Sequence, residues 1–451
     1  VALRKKNMNF RDVMHGYQLN LITKILKNEH LGVFMDMGMG KTACILYAFK
    51  RLKQTGKANR MLIIAPKFVA LNTWSDEIKK WDDLSDLKIN IAVGTENKRR
   101  DAFADPSDIV VINRENTTWM VKNISMKSFN VLCIDELSSF KNPISQRFKS
   151  ISKVLKRFDY RLGLTGTPAP NGYLDLWSQM FIINPDILGH NYFAYRFKFF
   201  KEVIPYKWEL IENGEEIISS KLKESCVSLL SSDWLDMPSK IENHIKIPMD
   251  SKCLKTYRLA VENTIYISKD KVVCLDANLT IKLQQLASGF IYSQDSSYFD
   301  TIHTLMIDKL DEIMDCVTGN TLLFYNFRAE REIIMGKFDY ARELKTSEDF
   351  HMWNKGLIRL AICHPNSIGY GLNLQAGGNN IIWYGYNWAS DTVKQANARL
   401  YRQGQKNCVI MNYIYVENTI HERIRKVLDG KIKKQDLLME SVKYVEQILN
   451  L

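Results

Sequence analysis

The sequence predicts an α/β protein built as two tandem parallel-sheet lobes with helical insertions between them. Short β-rich runs alternate with helix-patterned segments over residues 8–180, the same rhythm returns from about residue 304, and the stretch between has a different character. Strands alternating with helices make βαβ units, and those build parallel sheets. The length of 451 residues agrees, since at roughly 150 residues per domain it allows about three domains or two large ones with ample cores.

In the first lobe the strand runs are Gly32 to Met35, Met61 to Ala65, Asp108 to Ile112, Val131 to Ile134 and Arg161 to Leu164, with helices over Thr42 to Gln54 and Ala70 to Trp81. Aromatic and basic residues then crowd 191–208, a composition that fits either a protrusion facing nucleic acid or a helical segment packed into the lobe. A hairpin is expected to turn at Asn213-Gly214, between Trp208-Glu-Leu-Ile and Glu216-Ile-Ile. Leu235-Asp-Met-Pro238 reads as a linker, and 252–290 is mostly helical in pattern. The second lobe offers Thr321 to Tyr325, Arg359 to Cys363, Asn380 to Tyr384 and Val409 to Tyr415 as strands, then a basic amphipathic helix over the last 30 residues. The expected division is a lobe over 8–244, with an inserted protrusion at about 181–232, and a lobe over 245–451, with a helical protrusion at about 252–300. Residues 1–7, which precede Met8, are set aside as a processing remnant.

Lys and Arg outnumber Asp and Glu by 62 to 50, for a net charge of +12 and a pI near 9.1. That balance favours a polyanionic partner, nucleic acid first. No two of the eight cysteines lie at zinc-ligand spacing, so no zinc is expected, and buried thiols in a reducing compartment are. No apolar run approaches the ~18 residues of a membrane span, so no membrane partner is expected.

The phrase Phe34-Met-Asp-Met-Gly-Met-Gly-Lys-Thr42 follows a strand and opens a helix. Gly38 and Gly40, around Met39, let backbone N–H groups approach phosphate oxygens without a Cβ in the way. Lys41 is a mobile cation for the β- and γ-phosphates, Thr42 a ligand for Mg²⁺, and the helix aims its positive end at the same anion. The general pattern wants a glycine where Met35 stands. Val131-Leu-Cys-Ile-Asp-Glu-Leu-Ser138 supplies the acids: Asp135 for Mg²⁺, Glu136 as general base for the attacking water.

These residues resemble the superfamily 2 helicase-like ATPases, and among them the Swi/Snf-related DNA translocases. Their Asp-Glu-Met-Gly-Leu-Gly-Lys-Thr loop is similar to Met35 to Thr42 and also lacks the early glycine. Further blocks follow in the family's order: Tyr17-Gln18; Ile64-Ala-Pro-Lys67 with Trp74 and Glu77-Ile-Lys-Lys-Trp81; Asp108-Ile-Val-Val-Ile-Asn113; Leu164-Thr-Gly-Thr-Pro-Ala-Pro-Asn171; Trp234-Leu-Asp-Met-Pro238; Thr321-Leu-Leu-Phe-Tyr-Asn-Phe327; Gly369-Tyr-Gly-Leu-Asn-Leu-Gln375; Gln395-Ala-Asn-Ala-Arg-Leu-Tyr-Arg-Gln-Gly-Gln405; and Asn418-Thr-Ile-His-Glu422. The likeness spans about residues 14–435. It departs where the family's Asp-Glu-Ala-His is Asp135-Glu-Leu-Ser138, which puts the coupling of ATP to DNA in question.

The resemblance implies two RecA-like lobes hydrolysing ATP with Mg²⁺ at the cleft between them. It implies Gln18 and Gly371 as further nucleotide contacts, Thr165 and Thr167 as coupling residues, and Arg399 and Arg402 as arginine fingers with Gln395 beside them. DNA contacts would come from motifs holding Lys67, Asn113, Arg114, Asn326, Arg328 and Asn373, mostly to phosphates. The expected partner is double-stranded DNA, with single-stranded DNA as the alternative, and the motor core is expected to be monomeric. The absence of chromatin-reading appendages points to a minimal motor in the cytoplasm of a bacterial or phage-infected cell. A strand-separating DNA or RNA helicase would use the same chemistry; a non-hydrolysing scaffold would have lost Lys41, Glu136 or the arginines, all of which are present.

Overall fold

The computed structural model describes residues 8–169, 172–204, 207–223, 225–229, 233–234, 237–264, 267–268, 271–272, 279–293, 298–367 and 373–430. The chain divides into two compact units, Val1–Leu235 and Asp236–Leu451.

The strands of the first unit are β1 (His30–Met35), β2 (Met61–Ala65), β3 (Ile89–Ala92), β4 (Ile109–Asn113), β5 (Val131–Asp135), β6 (Tyr160–Thr165), β7 (Phe200–Ile204), β8 (Lys207–Leu210) and β9 (Cys226–Leu229). Among the described residues seven of them form one sheet in the order β3-β4-β2-β5-β6-β1-β9, every pair parallel. Helices Gly16–Lys27 and Lys41–Gln54 pack on one another, and Leu176–Ile183 packs against β6 and β1. All residues of β2 and β4 are buried, as covered parallel strands must be, which is why they read as unbroken apolar runs.

The expected hairpin at Asn213-Gly214 is not there. The antiparallel pair forms earlier, between β7 and β8, and Gly214–Leu222 is a helix. Asn213 takes the left-handed conformation (φ 61) and precedes a first turn carrying Glu215 and Glu216, whose charge suits the positive end of a helix. The same Asn-Gly signal therefore opens a helix. The aromatic-basic stretch divides by face. Tyr195, Phe199 and Phe200 enter the core, while Phe193 and Phe197 stand exposed at 59% and 66%, with the Arg196 guanidinium 4.3 Å above the Trp208 ring.

The second unit contains β10 (Lys240–Ile247), the two-residue strands β11 (Ile267–Ser268) and β12 (Lys271–Val272), β13 (Phe290–Tyr292), β14 (Phe299–Thr301), β15 (Thr321–Phe324), β16 (Ala341–Glu343), β17 (Leu360–Cys363), β18 (Asn380–Tyr384) and β19 (Val409–Val416). Among the described residues six form a second parallel sheet, β10-β19-β18-β15-β17-β16. β10 pairs with β19 along its whole length, so residues 240–244, expected in the first lobe, lie in the second unit's sheet. Helices Ser251–Thr264 and Leu279–Ala287 account for the helical pattern before it. Of the expected terminal helix over the last 30 residues, only the start is described, within helix Ile420–Leu428, and residues 431–451 lie outside the described residues. Leu235 and Asp236 of the expected linker also lie outside them. Cys44, Cys133 and Cys363 are buried, as expected, and Cys316 is exposed. No helix among the described residues is long and apolar enough to cross a membrane.

A buried polar knot closes the loop after β15. The Glu330 carboxylate, with no exposed surface, accepts the backbone N–H groups of Asn326 (2.7 Å) and Phe327 (3.1 Å) through one oxygen. Burial pushes its carboxyl up from 4.5 to about 7, against the pull of those two donors. The folded pKa lies above the unfolded one, so this group favours folding at low pH and that contribution is lost as pH rises from about 4.5 through 7. Glu330→Gln is expected to remove this slope and to stabilise the second unit above pH 7 by on the order of 3 kcal/mol, read by denaturant unfolding at pH 5 and pH 8; equal slopes for both proteins would contradict it. Gly377→Ala would drive a Cβ into the carbonyl oxygen and indole of the fully buried Trp353. It is expected to cost about 1–3 kcal/mol, seen in a thermal melt as a fall of roughly 2–4 °C per kcal/mol.

Candidate functional site

In a parallel sheet covered on both faces, the strand ends are where backbone and polar side chains meet solvent, and ligands bind beyond the carboxyl ends. The first unit places its polar motifs on that edge. β5, β6 and β1 are neighbours in the sheet, and they end in Asp135, Thr165 and Met35.

The loop after β1 holds Gly38 at φ 80 and Gly40 at φ 76, a left-handed region that excludes most side chains. A Cβ on Gly40 would also strike the Gln18 carboxamide. Gly40 is the N-cap of helix Lys41–Gln54, so the orphan N–H groups of its first turn face the loop. Lys41 Nζ donates to the carbonyls of Met35 (2.6 Å) and Asp36 (2.9 Å). Thr42 sits in the same first turn, partly exposed. Met39, expected to serve through its backbone, has a fully buried side chain, and its carbonyl accepts the Tyr17 hydroxyl (3.2 Å) and Gln18 Nε2 (3.1 Å). Gln18 Oε1 accepts the His15 N–H (2.8 Å). Its amide thus ties the start of helix Gly16–Lys27 to the phosphate-type loop.

Beyond β5 the chain turns through Glu136, a non-glycine residue at φ 59, ψ 62. Such strain of about 1–3 kcal/mol gathers at functional sites. Glu136 Oε1 accepts the Ser138 hydroxyl (2.6 Å) and the buried Thr165 hydroxyl (2.9 Å), and Thr165 Oγ1 in turn accepts the Thr167 N–H (3.1 Å). Asp135 Oδ2 accepts the indole N–H of the fully buried Trp74 (3.2 Å). Burial, then the adjacent Glu136 charge, push the Asp135 carboxyl up to about 6, opposed by Lys41 and by the Trp74 bond. A carboxylate so short of compensating charge fits a divalent cation, and the Thr42 hydroxyl is the companion ligand that the loop offers. The Trp74 bond had no counterpart in the sequence reading. The indole reaches Asp135 from 61 residues away, and only the tertiary fold makes that pairing visible.

The residues expected to touch nucleic acid differ in their surroundings. Lys67, after β2, is exposed. Asn113 is only 5% exposed; its amide donates to Glu115 (2.9 Å) and accepts from Asn116 (2.6 Å), so it builds the turn after β4. Arg114 pairs with Glu115 (3.0 Å). In the second unit Asn326 donates to the Tyr384 carbonyl (3.4 Å) and accepts from Asn387 (3.0 Å), Arg328 is exposed and pairs with Glu332 (3.3 Å), and Asn373 is exposed.

The second unit also joins two of the expected motifs. Arg402 donates to the Asn373 side chain, and Gln405 Nε2 donates to the carbonyls of Gln375 and Gly378, both at 2.9 Å. The Arg399 carbonyl accepts the Leu374 N–H (3.3 Å), and the Arg399 side chain is 4% exposed. Gln395 is partly exposed on helix Ser390–Asn397. Gly371 lies outside the described residues, as does Asn171 at the end of the coupling block.

The chain is 30% identical to protein p41 of Acyrthosiphon pisum secondary endosymbiont phage 1, over 95% of this chain and 98% of that one. It is 24% identical to YwqA of Bacillus subtilis, provisionally named an ATP-dependent helicase/translocase, over 98% of this chain and 50% of that one. It thus spans about half the length of that bacterial relative. Among solved structures it is similar to the Sulfolobus solfataricus SWI2/SNF2 ATPase core in complex with dsDNA, at 21% identity, covering 98% of this chain and 97% of that chain with a TM-score of 0.47. Residues 17–293, more than half of the chain, match the model of the SNF2-related domain. The chain belongs to the SNF2-related family.

Proposed function

We propose that the chain is an ATP-dependent motor on double-stranded DNA, an enzyme that hydrolyses ATP to ADP and phosphate and uses the cycle to translocate along the duplex. The observation that carries this reading is the convergence of the glycine loop, Thr165 and the Asp135–Glu136 pair at the ends of the adjacent strands β1, β6 and β5. Phosphoryl transfer to water is mainly positioning and charge neutralisation, and these are the parts it requires. The loop N–H groups and Lys41 take the phosphates, Glu136 accepts the proton of the attacking water, and Gln18 reads the adenine from its place beside the loop. Asp135 and Thr42 hold Mg²⁺, which neutralises phosphate charge when bound.

Arg399 and Arg402 of the second unit serve as the arginine fingers, with the neutral Gln395 beside them. An arginine finger is worth roughly 10³–10⁵ in rate. The names of the bacterial relatives, an ATP-dependent helicase/translocase in Bacillus subtilis and an uncharacterized ATP-dependent helicase in Mycoplasma pneumoniae, support ATP-driven work on nucleic acid. The net charge of +12 supports a polyanionic track. Lys67, Arg114, Arg328 and Asn373 are the side chains we assign to phosphates, while Asn113 and Asn326 shape the turns that present their neighbours. The likeness to a phage protein supports work in the cytoplasm of a bacterial or phage-infected cell.

Steady-state ATP hydrolysis, measured alone and with single-stranded DNA, duplex DNA or RNA, is expected to be stimulated most by duplex DNA. Glu136→Gln is expected to lower kcat by about 10²-fold or more. Stimulation by single strands or RNA alone would favour a strand-separating helicase, and no hydrolysis on any substrate would overturn the motor. Trp74→Phe keeps an aromatic but smaller side chain and removes the N–H that holds Asp135. It is expected to raise the Mg²⁺ concentration needed for half-maximal binding of a fluorescent ADP by about tenfold; an unchanged Mg²⁺ requirement would show that the indole does not orient the metal ligand.

A further inference from the structure

The family's histidine after the acidic pair is Ser138 in this chain. Its hydroxyl is 2.6 Å from Glu136 Oε1, within the range of a charge-assisted O–H···O⁻ bond. The left-handed turn at Glu136 makes this contact possible. It curls the chain directly into the 3-10 helix Leu137–Phe140, which brings the side chain two residues on back over the carboxylate. The Thr165 hydroxyl reaches the same oxygen from the end of β6 at 2.9 Å. Two hydroxyl donors therefore share Oε1, and no described residue donates to Oε2.

A general base must present a lone pair to the water at a fixed angle, and a shift of about 1 Å can cost about 10²-fold in rate. A carboxylate gripped by one oxygen keeps a single orientation for the other. We propose that Ser138 is a positioning residue for Glu136, which with Thr165 holds Oε1 so that Oε2 faces the attacking water; this rests on the ATPase reading above. In the step itself, the water oxygen bonds to the γ-phosphorus and its proton passes to Oε2. The bond from phosphorus to the bridging oxygen breaks, with its electron pair left on ADP. The serine hydroxyl keeps its own proton throughout. Since Thr165 Oγ1 also accepts the Thr167 N–H, any movement of the 165–167 segment changes the grip on the base. In this chain the link from that segment to the base runs through the Thr165 hydroxyl, Ser138 holds the same oxygen as the second donor, and no imidazole takes part.

The test uses the full chain with saturating duplex DNA and compares wild type with Glu136→Gln, Ser138→Ala and Ser138→Thr. Ser138→Ala is expected to lower kcat about ten- to a hundredfold with the KM for ATP within about twofold. It is expected to lose affinity for ADP with aluminium fluoride, which mimics the transition state, by a similar factor, while ADP with beryllium fluoride binds as in wild type. Ser138→Thr, which restores the hydroxyl, is expected to lie within about threefold of wild type. Equal loss of both mimics, an unchanged kcat in Ser138→Ala, or a threonine variant as slow as the alanine one would each overturn the proposal. Should the alanine variant not fold, Ser138→Cys, of like shape with a weak donor, is expected to show the same split, and wild-type turnover in it would count against the proposal. Failure of the ATPase reading is distinct: it would show as no hydrolysis in wild type, or as full hydrolysis in Glu136→Gln.

Discussion

The grip of Gln18 and Tyr17 on the Met39 carbonyl is the interaction on which the candidate site depends. A loop with two left-handed glycines has little conformational preference of its own and would lose entropy each time it closed on a phosphate. Here the Gln18 amide spans from the His15 N–H to the Met39 carbonyl, and the Tyr17 hydroxyl adds a second bond to that carbonyl. The Met39 side chain is fully buried beneath them. The loop is fixed at its middle, so Gly40 and the helix start stand where an anion needs them. That pinning requires glycine at residue 40, because a Cβ would collide with the amide that does the pinning.

Much of this was legible from residue order alone. β2 and β18 occur over the residues that their apolar runs predicted, because strands buried on both faces read as near-continuous apolar stretches. The glycine loop and the Asp135–Glu136 pair could be read because their chemistry is local. What could not be read was pairing across the fold, such as Trp74 with Asp135 or Thr165 with Glu136, since no spacing in the chain encodes an approach between separate strands. The turn at Asn213-Gly214 failed for another reason. Asn at positive φ serves a hairpin and a helix start equally well, and Glu215 and Glu216 decided for the helix. Asn113 shows the same limit for function, because a polar residue at a strand end reads as a surface contact whether it faces solvent or, as here, ties its own turn together.

In the second unit the polar motifs are braced by backbone. Gln405 holds the carbonyls of Gln375 and Gly378, the Leu374 N–H meets the Arg399 carbonyl, and the Trp353 indole donates to the Leu374 carbonyl at 2.8 Å. Segments 21 to 30 residues apart in the chain thus share one scaffold. A change at either will be felt at the other, because buried hydrogen-bonded backbone leaves little room for independent adjustment.

The pairing of β10 with β19 has a consequence for how the chain is made. The first unit has every strand of its main sheet once residue 229 has emerged from the ribosome, and β1 can then be flanked on both sides. The second unit has no such early closure. Its leading strand, residues 240–247, has its ladder partner at residues 409–416, so it stays unsatisfied while more than 160 residues are synthesised. Synthesis at about 5–20 residues per second makes that a wait on the order of ten to thirty seconds. Throughout it the charged, exposed face of Lys240, Glu242 and Lys246 is what guards the strand against pairing with another chain.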